Sequence, residues 1–118
     1  MSDPAHTKPV EHVDPQSGMA MVREGAFLLD VRQQDEWDAG HAPDATFLPL
    51  NELSERYTEL PTDQAIVEIC RSGGRSTKAA EALVAAGYNA VNLAGGMQAW
   101  EAEGLPCVTD DGTPGTVA

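Results

Sequence analysis

Five short apolar runs, at residues 10–13, 26–30, 46–48, 65–69 and 90–93, alternate along the chain with segments of helical pattern. Such alternation leaves few solutions besides an α/β fold with a mostly parallel sheet, because parallel neighbours need a long crossover that a helix fills compactly. The run 26–30, Ala-Phe-Leu-Leu-Asp, is almost wholly apolar, the pattern of a strand buried on both sides. Helix signals occupy the intervals. Asp14-Pro15 is an N-cap and first-turn pair opening a helix that Gly25 closes, the segment 33–39 ends at Gly40, and 50–59 stops before Pro61. The alanine-rich segment 76–86 ends at Gly87, and a last helix over 97–103 carries Trp100. A chain of 118 residues is one domain of ordinary size. Its core is expected over 10–106, between a flexible N-terminal segment 1–9 and a flexible tail 107–118 whose Thr, Asp, Gly and Pro bury little.

Charge narrows the partners. Nineteen acidic residues against seven basic ones give a net charge of −12, a field that repels nucleic acid and anionic lipid, so neither is expected as a partner. No stretch approaches the roughly 18 uncharged apolar residues of a membrane helix. The opening Met-Ser-Asp-Pro-Ala-His-Thr-Lys-Pro lacks the basic head and apolar run of a secretory signal, which predicts a cytoplasmic location. Cys70 and Cys107 are too few and too distant for a disulfide framework, and His6, His12 and His41 form no ligand pair, so no structural metal is expected.

The segment between the strand 65–69 and the helix 76–86, Cys70-Arg71-Ser72-Gly73-Gly74-Arg75, is too rich in glycine for either state. A cysteine there stands at the carboxyl end of a buried strand, where open α/β sheets bind ligands, and is placed as a nucleophile. Gly73 and Gly74 allow successive N–H groups to turn inward, and the free amides near Ser76 add partial positive charge, so the loop can hold an anion. Arg71, Arg75 and Lys78 set three of the seven basic residues within eight positions, and Arg32 ends a neighbouring strand. An ordinary thiol is only about 3% ionised at pH 7, and lowering its pKa by about two units takes roughly 2.7 kcal/mol. A helix terminus supplies about 0.3–1 kcal/mol, so loop N–H bonds and guanidinium charge must supply the rest. The expected outcome is a depressed pKa for Cys70.

Glu68 opposes this, since it shares a face with Cys70 and raises the thiol pKa if it is charged and unpaired. An arginine partner, Arg71 or Arg32, in a structural ion pair is expected for it. Asp30 and Arg32, at a strand end, are expected to form a loop-holding pair. His41 is expected to be satisfied by backbone hydrogen bonds rather than to act as a base, Trp37 and Trp100 to be core anchors, and Cys107 to be incidental unless the tail folds back and makes it a relay thiol.

The blocks Leu-Leu-Asp-Val-Arg (28–32), Glu36-Trp37, Gly40-His41, Cys-Arg-Ser-Gly-Gly-Arg-Ser (70–76) and Leu-Ala-Gly-Gly-Met-Gln-Ala-Trp (93–100), in this order, resemble a single-domain rhodanese-like sulfurtransferase. The resemblance implies a three-layer domain, a five-stranded mainly parallel sheet between helices. It also implies that Cys70 is the sulfur-accepting nucleophile. A donor such as thiosulfate or a persulfide would leave sulfur on Cys70, held by N–H groups of Arg71, Ser72, Gly73, Gly74 and Arg75 up to Ser76, for transfer to cyanide or a thiol. No cofactor is implied, because the sulfur travels on the protein; the partners are small sulfur-containing anions and a protein or low-molecular-weight thiol acceptor. Arg71 and Arg75 would hold the anionic donor, unless Arg75 braces the loop against an acid such as Asp30. Ala42 and Asp44 depart from the usual pattern, as does Glu68, which stands where an apolar residue is usual. Two alternatives remain at this point. One is a cysteine-dependent phosphatase or arsenate reductase of related fold, although those use five residues between Cys and Arg and here there are four. The other is a noncatalytic docking module.

Overall fold

The computed structural model describes residues 9–118; the expected flexible N-terminal segment lies, apart from Pro9, outside the described residues. The chain runs β1 (Glu11–Val13), α1 (Pro15–Arg23), β2 (Phe27–Asp30), α2 (Gln34–Ala39), β3 (Ala45–Phe47) and α3 (Leu50–Arg56). A 3-10 turn (Tyr57–Glu59), β4 (Ile66–Ile69), α4 (Gly74–Ala85), β5 (Ala90–Leu93) and α5 (Gly96–Ala102) follow. The strands lie in the order β1-β5-β4-β2-β3, and every pair is parallel. This is the five-stranded α/β sheet that the alternation of apolar runs and the resemblance both imply.

Period-two alternation sorts the strand residues onto two buried faces. On one, Leu29, Val31, Ile66 and Ala90 pack with Leu53 of α3 and with Ala79, Ala80 and Leu83 of α4. On the other, Leu28, Val67, Ile69, Val91 and Leu93 pack with α1 through Met19 and Val22, and with α5 through Met97 and Trp100. Crossovers leave β2 and β4 in opposite directions, toward β3 and toward β5. The carboxyl ends of β2 and β4 therefore flank the crevice where sheets of this kind take their ligands.

Two boundaries differ from expectation. Helix α4 begins at Gly74, two residues before Ser76, because Gly73 takes a left-handed φ of 113° and turns the loop directly into the first helical turn. Residues 107–118 are expected to be a flexible tail, yet the structure folds them back as a strap. His41 and Val108 exchange N–H···O bonds of 2.8 Å, Thr116 N–H donates to the Ala39 carbonyl at 2.9 Å, and Val117 and Cys107 pack against the α1/α5 face. Low apolar content predicts little burial. The strap is held instead by backbone hydrogen bonds, to which composition is blind. Among the described residues, no helix is long and apolar enough to cross a membrane.

Candidate active site

Cys70 directly follows β4 and is 1% exposed. Its sulfur accepts from the Gly73 N–H at 3.0 Å and from the Ser76 hydroxyl at 3.2 Å. Burial, the largest single influence, pushes the Cys70 thiol up, but the Ser76 hydroxyl and the N–H groups of Ser76, Gly73 and Ser72 together outweigh it, and the net displacement is downward. Dipoles of the loop and of the first turn of α4 thus favour the thiolate.

The loop is held from behind. The Met97 and Gln98 N–H groups, at the start of α5, donate to the carbonyls of Cys70 at 2.7 Å and Arg71 at 3.0 Å. That approach needs glycine at 96, where φ is 58° and a Cβ would collide with the Cys70 carbonyl oxygen. With two loop carbonyls drawn toward α5, the N–H groups on the other side are left to the sulfur. The distant Gly-Gly-Met-Gln block is therefore part of the site.

Neither loop arginine is free. Arg75 binds both carboxylate oxygens of Glu36, at 2.6 and 2.8 Å, so the acid it braces against is Glu36 rather than Asp30. Arg75, aided by the Gln33 N–H at 3.0 Å, holds the Glu36 carboxyl down to about 2 against the opposing effect of burial. Sequence reasoning quoted Glu36 without a role. Its signal was the Gln33-x-x-Glu36 capping box, which fixes the carboxylate at the start of α2. Arg71 is exposed and donates through Nε to the Ala118 main-chain oxygen at 2.7 Å.

Asp30 and Arg32 form a wholly buried pair, with Nε to Oδ1 at 2.9 Å and the second guanidinium nitrogen to Oδ2 at 2.8 Å. The same nitrogen also reaches the Gly40 carbonyl at 2.8 Å, tying the end of α2 to the end of β2. Strand alternation turns Asp30 to the α1/α5 face, and Arg32 follows it.

Glu68 requires a correction. It lies on the opposite face, in register between Leu29 and Asn92, fully buried, and neither carboxylate oxygen has a partner among the described residues. The expected arginine partner is absent because Arg32 is committed to Asp30 and Arg71 reaches outward. Burial pushes the Glu68 carboxyl up to about 9, so at neutral pH it is protonated and does not set a negative charge beside the thiol.

His41 stacks on Trp37 at 3.5 Å, with Nδ1 3.1 Å from the Ala42 carbonyl and Nε2 2.9 Å from Asp110 of the strap, which also accepts from the Trp37 indole at 3.1 Å. Its ring nitrogens are engaged by these groups and not by Cys70. Trp100 is a core residue, whereas Trp37 is half-buried in an aromatic stack that includes Phe47. Two residues that sequence reasoning gave no part in the site extend its hydrogen bonding: Ser76 Oγ lies 2.5 Å from Asn92 Oδ1, and Asn92 Nδ2 lies 3.0 Å from His12 Nδ1. A cleft of about 260 Å³ opens beside Arg75, lined also by Val31, Gln33, Pro49, Leu50 and Asn51.

The rhodanese-like domain model matches residues 14–103. A sulfurtransferase from Allochromatium vinosum is 42% identical over 90 residues, covering 75% of this chain and 84% of that protein. The thiosulfate sulfurtransferase GlpE of Pseudomonas syringae is 30% identical, covering 76% of this chain and 86% of its own. Among solved structures, a rhodanese-related protein from Thermoplasma volcanium superposes with a TM-score of 0.80 at 31% identity, over 85% of this chain and 99% of that one.

Proposed function

The chain belongs to the rhodanese-like domain family, and on that premise we propose that it is a sulfurtransferase working through a Cys70 persulfide. The observation that carries the reading is a buried cysteine sulfur receiving the Gly73 N–H and the Ser76 hydroxyl, with its thiol displaced toward the anion. With thiosulfate as donor, the Cys70 thiolate attacks the outer sulfur, the sulfur–sulfur bond of the donor breaks, and sulfite leaves with the bonding pair. The terminal sulfur of the persulfide carries the negative charge that the thiolate had, so the same N–H groups and hydroxyl serve both states. A thiophilic acceptor, cyanide or a thiol, then attacks that sulfur and returns Cys70 as thiolate. Low-molecular-weight or protein thiols fit this chemistry as acceptors.

A cysteine phosphatase is less well supported. Its arginine must point at a tetrahedral oxyanion over the thiolate, and here Arg75 is held by both oxygens of Glu36. The test is intact-mass measurement after incubation with thiosulfate, cysteine persulfide or glutathione persulfide. Expected is a gain of one sulfur atom, reversed by cyanide with release of thiocyanate, and absent in Cys70→Ser. No gain with any of the three donors rejects the assignment and leaves the docking reading.

A further inference from the structure

A hydrogen-bonded row crosses the sheet from the protein surface to the reactive sulfur. His12 on edge strand β1 is exposed, Asn92 opposite it on β5 is 2% exposed, and Ser76 at the start of α4 is fully buried. The contacts run from His12 Nδ1 to Asn92 Nδ2 at 3.0 Å, from Asn92 Oδ1 to Ser76 Oγ at 2.5 Å, and from Ser76 Oγ to Cys70 Sγ at 3.2 Å. We propose that His12 and Asn92 are positioning residues for Cys70: the charge on the His12 ring sets which way the Asn92 amide faces, and thereby whether Ser76 gives its hydroxyl proton to the cysteine sulfur.

The argument is one of donor and acceptor counting. An amide NH₂ can only donate, so the His12 Nδ1 beside it must accept and the ring is neutral in this arrangement. Asn92 Oδ1 then faces Ser76 and can only accept. The single proton of the Ser76 hydroxyl is therefore shared between Asn92 Oδ1 at 2.5 Å and the sulfur at 3.2 Å, and the sulfur receives it only part of the time. When water protonates His12, both ring nitrogens become donors and Nδ1 can no longer accept. The amide turned over offers Oδ1 to the ring and Nδ2–H to Ser76 Oγ. The serine then accepts from Asn92, and its own proton is free.

That proton has one good destination. The other nearby acceptor, the Gly73 carbonyl at 3.3 Å, already receives the Thr77 N–H at 3.1 Å and the Thr77 hydroxyl at 2.6 Å. The sulfur thus has its Ser76 bond undivided when His12 is charged. The only proton added comes from solvent, and no covalent bond other than N–H changes. Among the described residues, the ionisable groups on the elements that carry and flank the row are Glu11 on β1, Asp14 after it, Glu68 on β4, Cys70 after it, and Arg75, Lys78 and Glu81 on α4; β5 carries none, Arg75 is paired with Glu36, and none of these forms a salt bridge with His12.

The inference rests on Cys70 reacting as a thiolate, as proposed above, but its test requires no turnover. Side-chain NMR of the whole chain would follow the Asn92 NH₂ signals and the His12 ring through the pH range 5–9. The two should move with a common midpoint in the wild type, and the Asn92 signals should not move in His12→Gln. Thiolate absorbance of Cys70, taken as the difference from Cys70→Ser in each background, reads the far end of the row. Asn92→Leu removes the nearest rival for the Ser76 proton and should raise the thiolate fraction at pH 7 about threefold, the net worth of one modest hydrogen bond. In a Ser76→Ala background the same substitution should change nothing, because Asn92 acts only through the serine. Asn92 signals that ignore the His12 titration, an Asn92→Leu thiolate fraction that is unchanged or lower, or an equal effect with and without Ser76, would each overturn the proposal. If Asn92→Leu does not fold, the NMR arm alone decides. A chain that shows the coupling but never gains sulfur would leave the row standing and remove the sulfurtransferase reading.

Discussion

Replacing Glu68 by glutamine should stabilise the protein at neutral pH, although it lies two residues from Cys70. In the folded chain the carboxyl is fully buried without a partner and titrates at about 9, whereas in the unfolded chain it titrates at its ordinary value of 4.5. A raised folded value means that the folded state binds the extra proton. Relative to a neutral isostere, stability is intact below pH 4.5 and is lost as pH rises toward 9. The loss is about 1.4 kcal/mol per pH unit across that window, so at pH 7, 2.5 units above 4.5, it reaches about 3 kcal/mol. Glu68→Gln removes it. Burying an amide in place of a carboxyl adds a cost of its own, but that cost does not vary with pH and cancels in the comparison between pH values. Urea unfolding of both proteins at pH 5, 6, 7 and 8 is the assay. The midpoint of the variant should pull ahead steadily, by about 1–3 M at pH 7 for slopes of about 1–3 kcal/mol/M. Parallel midpoints from pH 5 to pH 8 would refute the reasoning, since they would mean that Glu68 is ionised in the folded protein or has found a partner.

Glu36→Gln should cost about 1–2 kcal/mol at pH 7, as a partly buried charge-assisted pair with Arg75 is lost. The Glu36 carboxyl titrates at about 2 when folded, so the pair's contribution is present above pH 4.5 and fades as pH falls through 2. Urea midpoints of wild type and variant should therefore converge between pH 4.5 and pH 2. Gly96→Ala should cost at least about 1–3 kcal/mol from the left-handed backbone alone. It should also abolish persulfide formation, because the new Cβ pushes the Cys70 carbonyl off the start of α5; thermal unfolding together with intact mass after thiosulfate would check both effects.

Element type and order were legible because each apolar run carries its own period and each helix its own cap or stop. The Asp14-Pro15 start and the Gly87 stop are local chemistry, and the structure places them at the two ends of α1 and α4. The place of the loop 70–76 was legible for the same reason, from its glycines, the strand before it and the helix after it, whereas the hold that the start of α5 has on its carbonyls was not. What could not be read was the pairing of charges. Glu68, Arg32, Asp30, Arg75 and Glu36 offer several combinations of opposite sign. Strand alternation alone parts Glu68 from Arg32, and the capping box at Gln33 alone brings Glu36 to Arg75. The strap was hidden in the same way, since Asp110 finds Trp37 and His41 across about 70 residues of sequence.

These pairings change what stabilises the thiolate. The basic cluster around Cys70 suggests a site run by positive charge, which the excess of acidic residues and ordinary salt would weaken. In the structure two of the four cations are paired, Arg75 with Glu36 and Arg32 with Asp30, and the Glu68 carboxyl, two residues from Cys70, is uncharged. What remains against the sulfur is a set of neutral dipoles, the Gly73 N–H, the Ser76 hydroxyl and the amides of the first turn of α4. Dipoles fixed by covalent geometry in a buried pocket are screened far less than surface charges. The reactivity of Cys70 toward a neutral alkylating agent should accordingly change less than twofold between 0.05 and 1 M salt, as order-of-magnitude bounds on this screening. A steep fall over that range would return the thiolate to the guanidinium groups and leave the loop amides a minor part.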